Sequence, residues 1–140
     1  MNTTVKNILI VIGGLLAGGA VNGILISIGS SIIPPPEGVD MTTTEGLKEG
    51  MSLLQPKNFI MPFLAHAIGT LVGAFIVANF AETNKFNFAM LVGVFFLMGG
   101  ASMVVMVGGP FWFNVFDLVN AYLPMAWLGH RLAVGKSSMA

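Results

Sequence analysis

The chain has 140 residues, of which 55% are hydrophobic and only 9% are charged, whereas roughly a quarter of the residues in soluble domains are charged. With a mean hydropathy of +0.86, this composition indicates an integral membrane protein. The six basic and six acidic residues cancel, so no basic surface is available to attract nucleic acid. Because the chain has no cysteine, disulfides, thiolate metal sites and thiol catalysis are excluded.

Four apolar stretches are long enough to cross a bilayer core, which takes about 20 helical residues. The predicted spans cover residues 8–33, 58–81, 88–107 and 111–134. Short links join the last three spans, and such links make neighbouring helices antiparallel. These features predict an all-α membrane protein in which residues 1–140 form a single transmembrane domain, a four-transmembrane-helix bundle.

The link between the first two spans, residues 34–57, is the only long one. It opens with Pro34-Pro35-Pro36, which cannot continue a helix. The later run Thr42-Thr43-Thr44-Glu45 is typical of a helix N-terminus, and apolar residues such as Leu47 and Met51 follow it at helical spacing. The link is therefore predicted to contain a short amphipathic helix that lies on the membrane or covers the bundle.

Orientation is predicted from the Lys and Arg residues near the span ends, which favour the cytoplasmic side. With four spans, both termini and the second link lie on one side of the membrane. That side carries Lys6, Lys85, Arg131 and Lys136 against Glu82. The other side carries Glu37, Asp40, Glu45 and Glu49 against Lys48 and Lys57. Both termini are therefore expected in the cytoplasm, with the long link outside.

Glycine residues recur at intervals of four in the first and second spans. In lipid, small residues let two helices approach closely enough for packing to favour their association. The residues of these patterns are Gly14, Gly18, Gly19, Gly23, Gly69 and Gly73. They are interpreted as helix-packing positions, either within the bundle or at an interface with a second copy or another membrane protein. Packing within the bundle is the expected role, and glycine on more than one face of the first span adds weight to an interface.

Two residues that can carry a charge near neutral pH, His66 and Asp117, lie well inside the predicted spans, away from the cytoplasmic ends, and a charge costs on the order of 2.5 to 3.5 kcal/mol at the bilayer centre. At about 1.5 Å per residue, His66 lies about 12 Å below the start of its span and Asp117 about 9 Å below the start of its own. Both spans run from outside to inside. The two side chains are therefore expected at one level in the outer half of the bilayer, as neighbours across the bundle.

Other polar residues at related depths extend this pair to a polar intramembrane cluster. The additional members are Asn22, Thr70, Ser102, Asn114 and Asn120. Pro62 and Pro124 each leave a backbone carbonyl unpaired, which adds to the predicted pocket. The cluster either locks the packing through buried hydrogen bonds or binds a ligand or transfers a proton, since histidine titrates near neutral pH.

No catalytic residue, cofactor or metal site is predicted. The other histidine, His130, lies at the opposite end of the fourth span, so one chain cannot bring two histidines to a haem or three ligands to a zinc ion. His130 and Arg131 are instead predicted to contact the helix C-terminus and anionic lipid headgroups.

Residues 33–40 (IPPPEGVD) and 62–70 (PFLAHAIGT) look like segments of a family of small bacterial four-span membrane proteins that has no assigned activity. The resemblance covers most of the chain. It implies the four-span architecture and a location in the bacterial inner membrane, and it implies no role for any residue.

Two functional hypotheses follow from these patterns. The first is a non-enzymatic accessory or assembly subunit of a membrane complex, which explains the glycine faces and the shortage of reactive residues. Its partners would be the lipid bilayer and a second copy or another membrane protein. The second is a small oligomeric transporter or channel in which His66 and Asp117 couple protons or bind a solute.

Overall fold

The computed structural model of the protein describes residues 1–137. Within this range every regular element is helical, which confirms the predicted all-α class. The α-helices are α1 (Thr3–Ile32), α2 (Thr44–Gly50), α3 (Ile60–Phe80), α4 (Lys85–Val107), α5 (Phe111–Asn120) and α6 (Leu123–Ser137). Two short 3-10 segments, Met51–Leu53 and Pro56–Phe59, lie between α2 and α3.

Among the described residues, three helices are long and apolar enough to cross a membrane. They are α1, α3 with the 3-10 turn before it, and α4, of 30, 25 and 23 residues respectively. Helix α1 begins at Thr3, five residues before the predicted span. Asn2 explains the early start, because its side chain accepts a hydrogen bond from the Thr4 N–H at 2.8 Å and so caps the helix.

The predicted fourth span, residues 111–134, is not one continuous helix. Helix α5 ends at Asn120 and α6 begins at Leu123, and they have only 10 and 15 residues. Pro124 explains the break, because it has no N–H to donate to the Asn120 carbonyl and its ring would collide with that carbonyl in a straight helix. Pro62 causes no break, since it is the third residue of α3, where a backbone N–H has no partner within the helix.

Polar contacts hold the long link in a defined conformation. Thr43 caps α2, because its side chain accepts a hydrogen bond from the Gly46 N–H at 3.0 Å. The Asn58 side chain donates to the Pro34 carbonyl at 3.2 Å, which ties the end of the link to its beginning. Helix α2 also packs against α4, so the link lies beside the helix bundle.

Helix α3 lies at the centre of the fold and packs against α1, α4 and α6. Its contact with α1 runs through glycine. A Cβ atom at Gly14 would lie 2.8 Å from the Gly73 carbonyl oxygen, and one at Gly18 would lie 2.5 Å from the Gly69 carbonyl oxygen. Gly129 of α6 meets the backbone of α3 in the same way. Four of the predicted packing glycines therefore meet between α1 and α3.

The other two predicted packing glycines, Gly19 and Gly23, take no part in that contact. A Cβ atom at either position would meet nothing within 4 Å. They lie one turn apart on the same face of α1, and this face turns away from α3. The adjacent residues Gly18 and Gly19 thus have opposite surroundings, one against another backbone and the other open.

Polar contacts also join the start of α1 to the turn between α3 and α4. Lys6 pairs with Glu82 at 2.7 Å. The buried Asn7 accepts a hydrogen bond from the Glu82 N–H and donates one to the Thr83 hydroxyl, both at 2.9 Å. The first residues of α1 and this turn therefore lie at the same end of the bundle.

Candidate functional site

His66 of α3 and Asp117 of α5 face each other. The Nδ1 atom of His66 lies 2.9 Å from each carboxylate oxygen of Asp117. Asp117 is buried, with 4% of its surface exposed, whereas 23% of the His66 side chain is exposed. The two ionisable residues that share a predicted depth are therefore in direct contact.

Tyr122, which sequence reasoning missed, completes this polar centre of His66, Asp117 and Tyr122. Its hydroxyl donates a hydrogen bond to Oδ2 of Asp117 at 3.0 Å. Its ring stacks on the imidazole of His66, with centroids 5.7 Å apart. The sequence signal that points to it is Pro124, because a helix break at the proline frees the residues just before α6 to turn inward.

Glycine in α4 makes room for the tyrosine. A Cβ atom at Gly100 would collide with the hydroxyl oxygen of Tyr122, whereas one at the neighbouring Gly99 would meet nothing within 4 Å. The hydroxyl can reach Asp117 because α4 has no side chain at this point. The position of Tyr122 thus depends on two local features, the break between α5 and α6 and a glycine of α4.

Two cavities meet at His66. The first, the link cavity, has a volume of about 140 Å³ and is bordered by the long link and by α1, α3, α4 and α5. The second, the bundle cavity, has a volume of about 210 Å³ and lies between α1, α3, α4 and Tyr122. His66, Gly100 and Met103 line both cavities. The imidazole is therefore part of a shared wall.

Two further members of the predicted cluster, Thr70 and Asn22, line the bundle cavity. Thr70 is fully buried, and its hydroxyl donates to the His66 carbonyl at 2.8 Å. The amide oxygen of Asn22 is buried and has no hydrogen-bond partner in residues 1–137. Because a buried acceptor without a partner costs about 1–3 kcal/mol, Asn22 offers a polar contact to a molecule in this cavity.

The other predicted members lie away from the bundle cavity. Asn114 borders the link cavity and donates to the Gly109 carbonyl at 3.3 Å. Ser102 and Asn120 are exposed on the outside of the helices, and each donates at 2.8 Å to the carbonyl four residues earlier in its own helix. These two residues are thus satisfied locally and do not belong to the polar centre.

Asp117 occupies one of the two ring nitrogens of His66. A carboxylate accepts hydrogen bonds, so Nδ1 donates to Asp117, and Nε2 is the acceptor of the neutral ring. The Nε2 atom has no hydrogen-bond partner in the part of the chain that the structure describes. The carboxylate can balance an imidazolium charge, which an apolar site would otherwise exclude.

The second histidine lies at the other end of the bundle. The ring of His130 meets that of Phe86 edge-on, with centroids 5.2 Å apart. The guanidinium of Arg131 lies 5.5 Å from the ring centre of Trp127. The contact of both residues with lipid headgroups stays a prediction.

Comparison with protein-family models, curated proteins and solved structures gives no match to this chain.

Proposed function

We propose that the protein crosses the membrane four times, with α5 and α6 together forming the fourth crossing. The two helices extend roughly 38 Å at about 1.5 Å per residue, which is enough for a hydrocarbon core of about 30 Å. The contact between Phe86 at the start of α4 and His130 near the end of α6 supports this course. Lys6, Lys85 and Arg131 belong to that end, which favours cytoplasmic termini in a bacterial inner membrane.

The proposed function is transport, by a non-enzymatic route in which protons pass through the polar centre and can be coupled to a solute. One observation carries this proposal: His66 lies on the shared wall of two cavities while Asp117 holds its Nδ1 atom. A proton taken up at Nε2 from one cavity can be released to the other without breaking the contact with Asp117.

Two features of the fold support a transport role. The helix that carries Asp117 ends three residues later, at the break before α6, and discontinuous membrane helices are typical of transporter binding sites. Ionisable residues within membrane spans are costly and mark ion or proton pathways. A carboxylate beside a helix break, bonded to an imidazole that borders two cavities, combines both features.

Proton movement can be tested in vesicles that contain the purified protein and a pH-sensitive dye. A potential that is negative inside, set by potassium and valinomycin, should acidify the lumen faster than in empty vesicles. Asp117→Asn and His66→Leu should each slow this acidification at least tenfold. His130→Gln, at the only other histidine, and Asn120→Leu, on the outside of α5, are the controls that should keep the wild-type rate.

A wild-type rate no faster than that of empty vesicles would contradict the transport proposal. So would a His130→Gln variant that loses as much activity as Asp117→Asn, because the protons would then follow another route. Asp117→Asn keeps an acceptor for the imidazole, so it tests the pathway even if His66→Leu fails to fold.

A second candidate function, the accessory or assembly subunit, is favoured by the open glycine face of α1. Gly19 and Gly23 meet nothing within 4 Å, and small residues on a lipid-facing surface provide a place for another membrane helix. Purification in a mild detergent followed by mass spectrometry should then recover a second membrane protein. Gly23→Leu should release that protein without lowering the melting temperature, and recovery of this chain alone would rule against the role.

A further inference from the structure

We propose that the link cavity binds a neutral, single-ring compound that carries one hydroxyl group, with phenol as the simplest example. This inference rests on the proposed function, because it assigns the class of solute that meets the polar centre. It concerns the side of His66 that borders the long link. The hydroxyl would donate its hydrogen bond to Nε2 of His66.

The size of the cavity selects a single ring. Its volume is about 140 Å³, close to the roughly 150 Å³ of an engineered apolar cavity that accepts benzene. Phe59 and Phe113 supply flat apolar surfaces, and Met41, Met51 and Met103 are among the other wall residues. Methionine side chains adapt to the shape of a ligand and make favourable contacts with aromatic rings.

The polar atoms of the cavity select a hydroxyl group. Asp117 already accepts from His66 and Tyr122, and Asn58 both donates to the Pro34 carbonyl and accepts from a backbone N–H. Among the described side chains of the wall, the nitrogen and oxygen atoms without a partner are Nε2 of His66 and the amide oxygen of Asn114. Both accept hydrogen bonds when the imidazole is neutral, so a ligand that supplies a donor satisfies them.

The same walls disfavour a charged ligand. Most of the lining residues are apolar, and burying an ion without a partner is far more costly than burying a neutral hydroxyl. The carboxylate of Asp117 would in addition repel an anion. Lys and Arg are absent from the lining, and an imidazolium at His66 would already be paired with Asp117.

Equilibrium dialysis of radiolabelled phenol against the full chain in detergent tests this site, with detergent alone as the blank. Phenol should bind saturably, toluene should bind at least tenfold more weakly because it has no hydroxyl, and benzoate should not compete. Val104→Phe, which fills the cavity, should abolish binding. Val119→Phe adds the same ring on an exposed face of α5 and should leave binding unchanged.

The polar contact is tested separately. His66→Leu should reduce phenol affinity about tenfold, to the level of toluene, whereas His66→Gln, which keeps an acceptor, should retain most of it. Equal affinities for phenol and toluene would overturn the assignment of a hydroxyl ligand. Binding that Val104→Phe leaves intact, or displacement of phenol by phospholipid, would overturn the assignment of the cavity.

Failure of this inference differs from failure of the transport proposal. If phenol does not bind but vesicles still show proton movement that Asp117→Asn removes, the ligand assignment is lost and transport stands. If phenol binds as expected but wild-type vesicles behave like empty ones, transport is lost, and with it the inference that the ligand is a transported solute.

Discussion

The interface of α3 with α1 is closed at the levels of Gly14 and Gly18, whereas the side of α3 that carries His66 and faces α4 and α5 is open. Against α1, glycine faces glycine at two levels, Gly14 with Gly73 and Gly18 with Gly69, so that the backbones touch. Against α4 and α5, side chains meet instead, and His66 borders cavities of about 140 and 210 Å³. The two interfaces belong to the same helix.

This difference shows how a short chain can combine a rigid contact with space for chemistry. Glycine contacts leave no side chain that could rearrange, and close approach of backbones strengthens the packing of helices in lipid. They hold α3 in place. The open interface then leaves room around one side chain, the imidazole of His66, on an element whose position is already determined.

Breaking the open interface at its centre should cause the largest loss of stability. His66→Leu leaves the buried carboxylate of Asp117 without its imidazole donor, and removal of one partner from a buried pair typically costs about 3–5 kcal/mol. Asp117→Asn should cost less, because its amide oxygen can still accept from Nδ1. The double variant should lose less than the sum of the two, as expected for groups in contact. Unfolding free energies in detergent would measure all three variants, and strictly additive losses would contradict the pair.

Breaking the closed interface should have the next largest effect. Gly18→Leu drives a side chain into the Gly69 carbonyl, and overpacking of this kind costs about 1–3 kcal/mol. Gly19→Leu is the matched control, since a Cβ atom there meets nothing within 4 Å. Melting temperature and oligomer size in detergent are the measurements. Equal melting temperatures for the two variants would show that glycine does not hold α1 against α3.

Much of this arrangement could be predicted from the sequence, because hydropathy and helical rise both describe positions along the axis of a helix. Mean hydropathy located α1, α3 and α4, and a rise per residue was enough to put His66 and Asp117 at one depth. Depth does not give direction around the helix. Asn120 lies about 4.5 Å deeper than Asp117 on the same helix, yet its side chain lies on the outside, where it bonds to its own helix.

The break in the predicted fourth span and the role of Tyr122 could not be predicted from hydropathy. The apolar pattern continues through the break, and only Pro124 marks it. Whether the tyrosine turns inward depends on an empty position opposite, which Gly100 supplies. In the same way, Gly18 and Gly19 are indistinguishable in sequence, and only the position of α3 decides which of them is packed.

A smaller change at the open interface tests whether Gly100 makes room for Tyr122. Gly100→Ala adds one methyl group against the Tyr122 hydroxyl, and because one side chain can move aside, the cost should be about 1 kcal/mol. Tyr122 is the only tyrosine of the chain, so tyrosine labelled with 13C at Cζ gives a single NMR signal. That signal should shift in Gly100→Ala and stay unchanged in Gly99→Ala. Similar spectra for the two variants would mean that the hydroxyl is not held between α4 and Asp117.

The smallest expected effect concerns the long link, which borders the open interface. The Asp40 carboxylate accepts hydrogen bonds from the Thr42 hydroxyl at 2.6 Å and the Thr42 N–H at 2.8 Å, and these bonds lower the pKa of Asp40 from 3.8. A carboxyl group whose pKa is lower in the folded than in the unfolded state stabilises the fold at pH values above its pKa in the unfolded chain. This contribution is lost as the pH falls through the pKa of the folded state.

The Asp40 contacts should therefore keep the link ordered at neutral pH and be lost only in acid below about pH 4. The amide signal of Thr42 in an NMR titration from pH 6 to pH 2.5 should move with a midpoint below 3.8. Asp40→Asn should remove this titration, because it has no proton to gain, and Glu45→Gln should leave it unchanged. A midpoint at or above 3.8 would show that the threonine does not donate to Asp40. The conformation of the link beside the cavity would then need another cause.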